Sequence, residues 1–187
     1  MRRSFTRIYP AGRKGKNMNG IGTTKIAQIA FVVKDIEAAK KKWAKIFGLE
    51  WMIEANIAVW DTTPAYTDGV PEDCSDVKVA KMTIGDGAGF ALFEPGEKPT
   101  PWRKYLDKHG ESVFNLEFFV PDRQAAYEVV GECCEAKKPY HIGFYPDVTY
   151  SILHTDDELG VDLNLVGHED NVAYIEALRK DPSKLKD

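Results

Sequence analysis

Two stretches of the chain run through the same order of events, and that internal repeat limits the fold more than any other feature. Ile26 to Val33 (IAQIAFVV) is apolar and β-branched enough for a buried strand. Asp35 can cap the helix that follows, in which Ile36, Ala39, Trp43 and Phe47 recur at helical spacing before Gly48 supplies a stop. Downstream, Val113 to Val120 (VFNLEFFV) reads as a strand and Asp122 as a cap. Ala125, Ala126, Val129, Val130 and Cys133 then form the apolar stripe of a helix that fades at Lys137, Lys138 and Pro139. The copies are offset by about 87 residues, Gln28 falling on Asn115. Further strand-like runs follow each helix: Trp51–Trp60, Val77–Ile84 and Phe90–Glu94 after the first, Val148–His154 and Val161–Val166 after the second. The expected architecture is α+β, built from two βαβββ modules.

The chain thus divides into a basic leader (1–22), a first module (23–95), a connector (96–110), a second module (111–168) and a C-terminal segment (169–187). The connector is bounded by prolines and predicts a short helix around Trp102–Lys108. Residues 61–76 (DTTPAYTDGVPEDCSD) read as a polar loop that either covers a site or is mobile. IGDGAG joins two strand-like runs and is expected to be a hairpin turn rather than a phosphate loop. In the last segment Val172, Ile175 and Leu178 have helical spacing, which predicts a helix packed on the body or on a partner chain.

Composition excludes several function classes. Residues 1–20 carry six basic side chains and no acid, so with a formal net charge of −4 the remaining 167 residues sum to −10. An acidic body argues against a nucleic-acid partner, because that affinity comes largely from Lys and Arg neutralising phosphates. The basic arm is either an anion-binding segment or a disordered leader. No apolar run approaches the ~20 residues needed to cross a bilayer, and the N-terminus lacks the apolar region of a secretory signal. Cys74, Cys133 and Cys134 have neither disulfide-like nor zinc-like spacing, and reduced thiols in a cytoplasm are the expectation. No G-x-S-x-G, P-loop or dinucleotide fingerprint occurs in its required context, so no cofactor is expected.

Four segments, IAQIAFVVKDIEAAKKKWAKIFGLE, VKVAKMTIGDGAGFALFEP, TPWRKYLDKHGESVFNLEFFVPD and ILHTDDELGVDLNLVG, resemble the vicinal oxygen chelate superfamily, and within it the methylmalonyl-CoA epimerase branch. Together they span roughly Ile26 to Gly167. The resemblance implies a cupped, glyoxalase-like mixed sheet with helices outside, a small-molecule substrate with a carbonyl, and a homodimer. It also implies where a metal would be held, and there this chain departs from the family. The family's two strand histidines correspond to Gln28 and Asn115, its glutamine or glutamate ahead of Glu-Pro to Ala91, and its last-strand glutamate to Asn164. Neutral amides bind a transition metal weakly and alanine not at all, so no metal is expected. The three amides can instead hold a carbonyl or enolate oxygen, or simply satisfy one another around water.

Strand alternation extends the cavity face from these positions. If Asn115 points inward, so do Glu117 and Phe119, which makes Glu117 an acid in a strand of otherwise buried residue types. Desolvation there suits a general base, although an edge-exposed or salt-bridged glutamate fits the sequence equally well. Lys81 shares a face with Val79, the position matching a catalytic glutamate of the epimerases, and is either an enolate-stabilising cation or a solvated lysine. Asp162 alternates with Asn164 and is a candidate site acid or a turn residue. His154, at a strand end, is a candidate rim residue, and His141 lies in a loop with Tyr140, Phe144 and Tyr145. Trp51, Trp60, Tyr66, Tyr145 and Tyr150 are available to line a pocket for an aromatic ligand. The leading expectation is a metal-independent racemase or epimerase acting next to a carbonyl, with Glu117, Lys81 and Asp162 as catalytic groups. Gln28, Asn115, Asn164, Phe119, Tyr145, Tyr150 and His154 are the expected substrate contacts. The alternatives are a non-catalytic small-molecule-binding protein, and a lyase or cyclase using the same base.

Overall fold

A computed structural model of the protein describes residues 20–57, 60 and 62–185; the leader expected over 1–22 lies outside them apart from its last three residues. The first module comprises β1 (Gln28–Val32), α1 (Ile36–Phe47), β2 (Ile53–Asn56), β5 (Lys78–Ile84) and β6 (Ala88–Glu94), with β3 (Ala65–Thr67) and β4 (Val70–Pro71) inserted before β5. Helix α2 (Pro101–His109) forms the connector. The second module comprises β7 (Ser112–Phe119), α3 (Arg123–Cys133), β8 (His141–Phe144), β9 (Val148–Leu153), the one-turn α4 (Asp156–Leu159) and β10 (Asp162–His168), followed by α5 (Val172–Lys180).

Both expected caps form. Asp35 accepts from Ala38 N at 2.9 Å and Asp122 from Ala125 N at 3.0 Å, each satisfying an otherwise orphaned helix N–H. Gly48 ends α1 in the left-handed region at φ 66°, where a Cβ would be strained. Pro101 opens α2 behind Thr100, where its missing N–H costs nothing.

The described strands form one mixed sheet in the order β2-β5-β6-β1-β7-β10-β9-β8-β3-β4. The modules meet at its centre along antiparallel β1 and β7, with Gln28 opposite Glu117 and Ala30 opposite Asn115. Next to that pair the register shifts, and Phe114 is the extra residue of a bulge. Alternate residues sort onto two faces. On one, α1 packs through Ile36, Ala39 and Trp43 on Ala80, Met82, Phe90 and Leu92, while α3 packs through Ala126, Tyr127 and Val130 on Leu153 and Leu165. The other face is concave: side chains from β2 through β9 line one cavity, and α2 seals part of it with Trp102, Tyr105 and Leu106 packed on Ala30, Val32, Phe93 and Phe114.

Two expectations are corrected. HIGF is strand β8 rather than loop, and supplies the third strand after α3 that the sequence reading lacked. The polar segment 61–76 contains a hairpin, β3–β4, whose Ala65–Thr67 pair with Gly143–His141 of β8. The chain therefore leaves β2 at one margin of the sheet, adds two strands beyond β8 near the other, and returns to β5. The C-terminal helix packs on the body: Ile175 and Leu178 of α5 cover Tyr66 and Phe144, and Tyr66 Oη donates to Pro182 O at 2.8 Å.

Candidate functional site

The concave face encloses a cavity of 430 Å³, within the size range of small-molecule sites. Its walls are mostly apolar, from Val79, Phe93, Ile152 and Val166 to the rings of Trp102, Phe119, Tyr145 and Tyr150. Gln28, Asn56, Lys81, Asn115, Glu117 and Asn164 bring amide or charge chemistry to it, Asn56 with its Nδ2 already donating to Ser75 O at 2.9 Å.

Glu117 is the centre of this polar set. It stands on β7 between Gln28 of β1 and Asn164 of β10, both its register partners. Asn164 Nδ2 donates to Glu117 Oε2 at 3.0 Å, and Gln28 Nε2 donates to the same oxygen at 3.4 Å. The orientation of Asn164 is set from behind, because Ser151 N donates to its Oδ1 at 3.2 Å. The N–H side of that amide therefore faces the carboxylate. Gln28 is confined by β6, where a Cβ on Gly89 would stand 3.1 Å from its Cγ. Glu117 Oε1 accepts no hydrogen bond among the described residues. Burial pushes the Glu117 carboxyl up from the ordinary glutamate range, and the positive charge of Lys81 and the Asn164 N–H pull it back only in part.

The resemblance implied a metal at Gln28, Ala91, Asn115 and Asn164, and the residues present do not fit one. Ala91 offers no donor, Asn164 presents its N–H side, and the cavity lining includes neither histidine nor cysteine. His154, Asp156 and Asp162 are a separate group whose ligand atoms lie within 4.8 Å of one another, but none of the three lines the cavity. Asp156 is already engaged by Lys108 at 2.6 Å and His109 at 2.8 Å.

Of the candidates named from the sequence, the structure brings Gln28, Lys81, Asn115, Glu117, Phe119, Tyr145, Tyr150 and Asn164 to this one cavity. Asp162 is not among them. It sits at the start of β10 with its carboxylate turned aside, accepting from Tyr140 Oη at 3.0 Å and Thr155 N at 3.1 Å. Burial pushes its carboxyl up to about 6. His154 is 64% exposed and stacks on Tyr140 at 3.5 Å, outside the cavity. Trp51 packs near Phe90 on the helix side, and Trp60 and Tyr66 pack together in the cluster under α5.

The structure adds one lining residue that the sequence reading passed over, and places His141, which that reading put in a loop, on a strand. Trp102 of α2 lines the cavity. His141, fully buried on β8, bridges Tyr150 Oη at 3.1 Å and Thr67 Oγ1 at 2.8 Å. Desolvation drops its pKa to about 3, so the imidazole is neutral. The Tyr150 ring lies over Gly143, where a Cβ would collide with the ring and could not be accommodated. The signal for Trp102 was its place one residue after Thr100-Pro101, on the buried face of a capped helix.

The sequence profile of the glyoxalase/bleomycin resistance protein/dioxygenase superfamily matches residues 27–133, more than half of the chain. No curated protein matches the sequence. Among solved structures, a hypothetical protein from Bacillus halodurans is similar with a TM-score of 0.55 and 18% identity, over 78% of this chain and 94% of its own. Methylmalonyl-CoA epimerase from Mycobacterium tuberculosis gives 0.55 and 17%, over 85% of this chain and 97% of its own. A Streptomyces coelicolor methylmalonyl-CoA epimerase variant in complex with 2-nitronate-propionyl-CoA gives 0.51 and 19%, over 78% and 94%. No helix among the described residues is long and apolar enough to cross a membrane. With its paired modules, concave cavity and matching profile, the chain belongs to the glyoxalase/bleomycin resistance protein/dioxygenase superfamily.

Proposed function

We propose that the protein is a metal-independent isomerase, a racemase or epimerase that abstracts a proton next to the carbonyl of a small ketone or thioester. The observation that carries this reading is Glu117: a carboxylate raised by burial, pinned through Oε2 and open at Oε1, in a largely apolar cavity. Glu117 Oε1 takes the proton from the α-carbon, and the electron pair of the broken C–H bond moves onto the carbonyl oxygen. Lys81, three strands away in the sheet order β5-β6-β1-β7, faces the developing enolate and returns a proton to the opposite face of the carbon. Gln28 and Asn164 hold the carboxylate in one orientation, so that little reorganisation accompanies proton transfer. The likeness to methylmalonyl-CoA epimerases supports the fold on which this chemistry is built, at an identity too low to carry a substrate across.

The test is solvent-deuterium uptake, followed by mass spectrometry, over a panel of α-chiral ketones and thioesters in chelator-treated buffer. The expected result is protein-dependent uptake that Glu117→Gln abolishes while binding persists. Tight binding of a panel member with no uptake in the unaltered protein would favour a ligand-binding role and end the isomerase reading.

A further inference from the structure

Lys40, Lys78, Lys98 and Lys108 each stand within 2.9 Å of a carboxylate oxygen. Lys81, the lysine of the cavity wall, makes neither an ion pair nor a hydrogen bond among the described residues, although it is half-buried. Its place in the sheet explains why. On β5 it lies between Ile53 of β2 and Ala91 of β6, neither of which has a polar side chain, and its neighbour on the same face is Val79. Its charge reaches Glu117 and pulls that carboxyl down, yet the two groups are not in contact. The other residues lining the cavity are neutral. An ammonium walled by apolar groups and held apart from the one carboxylate of its cavity is stabilised by an anion brought to it.

We propose that Lys81 is an anion anchor and that the substrate of this cavity is a 2-oxo acid with an apolar body. Charge selects the class. Lys81 and Glu117 are the charged residues of the lining, so a singly charged carboxylate balances the ammonium and a phosphate dianion overshoots it. A carboxylate on the carbon that Glu117 deprotonates would meet like charge. A carboxylate on the carbonyl carbon avoids that. Its oxygen and the ketone oxygen sit on adjacent carbons, so one ammonium serves both the anion and the developing enolate. Sheet order supports the arrangement. Lys81 on β5, Glu117 on β7, then Val166 on β10 and Val148, Tyr150 and Ile152 on β9 succeed one another across the cup. That is the order of carboxylate, reacting carbon and apolar body along a 2-oxo acid. The placing of the reacting carbon rests on the proposed role of Glu117, whereas the pairing of an anion with Lys81 does not.

The test is calorimetric titration of the full chain with 2-oxo-4-phenylbutanoate and with 4-phenylbutan-2-one, in which a methyl group replaces the carboxylate. The oxo acid is expected to bind at least about tenfold tighter. Lys81→Met should erase that advantage and leave the affinity for the neutral ketone within about threefold. A second measurement leaves Lys81 in place. Saturation with the oxo acid should raise the titration midpoint of the Glu117 carboxyl above that seen with the ketone, because an ammonium paired with the ligand no longer pulls it down. Equal affinities, an advantage that survives Lys81→Met, or a Glu117 midpoint common to both ligands would each overturn the anchor. None of these readouts requires turnover. Carboxylate-dependent binding without deuterium uptake beside the ketone would sink the isomerase reading and leave the anchor standing, whereas uptake from both compounds at equal affinity would do the reverse.

Discussion

The two modules share a strand–helix order but not the side chains they present to the cavity. The antiparallel pairing of β1 and β7 relates them by a local two-fold that exchanges Gln28 with Asn115 and Ala30 with Glu117. One equivalent pair thus sets amide against amide, and the other methyl against carboxylate. The margins differ as well. On the first module's side, β2 is exposed along its whole length, whereas on the second module's side β8 is extended by the inserted hairpin and covered by α5. Repetition supplies a cup, and departures from repetition supply its buried carboxylate and its closed side. The proposed chemistry therefore lies on the second module's face of the cavity, with the first contributing Gln28 and Lys81.

Restoring symmetry at the centre should be the most damaging change. Ala30→Glu forces a second carboxylate into a fully buried position with no partner provided, and should lower stability by more than about 3 kcal/mol in urea titration. A small effect would mean that the Glu117 environment is not special to its module. Next comes the closed margin: Tyr66→Ala removes a ring that is 1% exposed beneath α5 and should cost about 3–5 kcal/mol.

Acid should act on the same margin through His141. Its folded pKa of about 3 lies below the ordinary histidine value of 6.5, so between these limits the unfolded chain binds the extra proton. Its contribution therefore favours the fold above pH 6.5 and is lost as the pH falls toward 3. Asp162, raised to about 6 from 3.8, acts in the opposite sense, and its contribution is lost as the pH rises through 6. His141→Gln should flatten the acid limb of a stability–pH profile between pH 6.5 and 3, and an unchanged limb would show that His141 is not buried as described.

The helix caps should behave alike in both modules. Asp35→Ala and Asp122→Ala should each cost about 1 kcal/mol, and a large disparity would break the structural half of the comparison. At the bare margin, Ile53→Ala should change stability by no more than about 0.5 kcal/mol, since Ile53 is half exposed.

What the sequence disclosed follows from the range of the forces involved. Caps, glycine stops and strand alternation are local, and from them the helix starts and the inward set Val79, Lys81, Asn115, Glu117 and Asn164 were legible. β8 was not: four residues between Pro139 and Pro146, with Gly143 among them, carry almost no period, and that glycine is there to admit the Tyr150 ring. The hairpin did carry a local signal. Asp68-Gly69, both at positive φ, is a two-residue turn of the type hairpins favour, hidden in a polar stretch that reads as loop. Asp162 shows the limit of alternation. A residue at the start of a strand has the right face, yet Tyr140 and Thr155, from segments the alternation knows nothing about, turn its carboxylate away. The place of Trp102 in the cavity wall was equally out of reach, since it depends on how the connector helix packs across both modules.

The proposed chemistry rests on one carboxyl group, which can be observed without any substrate. A carbon-13 NMR titration should follow the side-chain carboxyl of Glu117, assigned by its disappearance in Glu117→Gln. The predicted midpoint lies above the ordinary glutamate value of 4.5, and Lys81→Met should move it higher still by removing the charge that lowers it. A midpoint at or below that of an exposed glutamate, or one indifferent to Lys81, would contradict the claim that the second module of this cup holds a desolvated base.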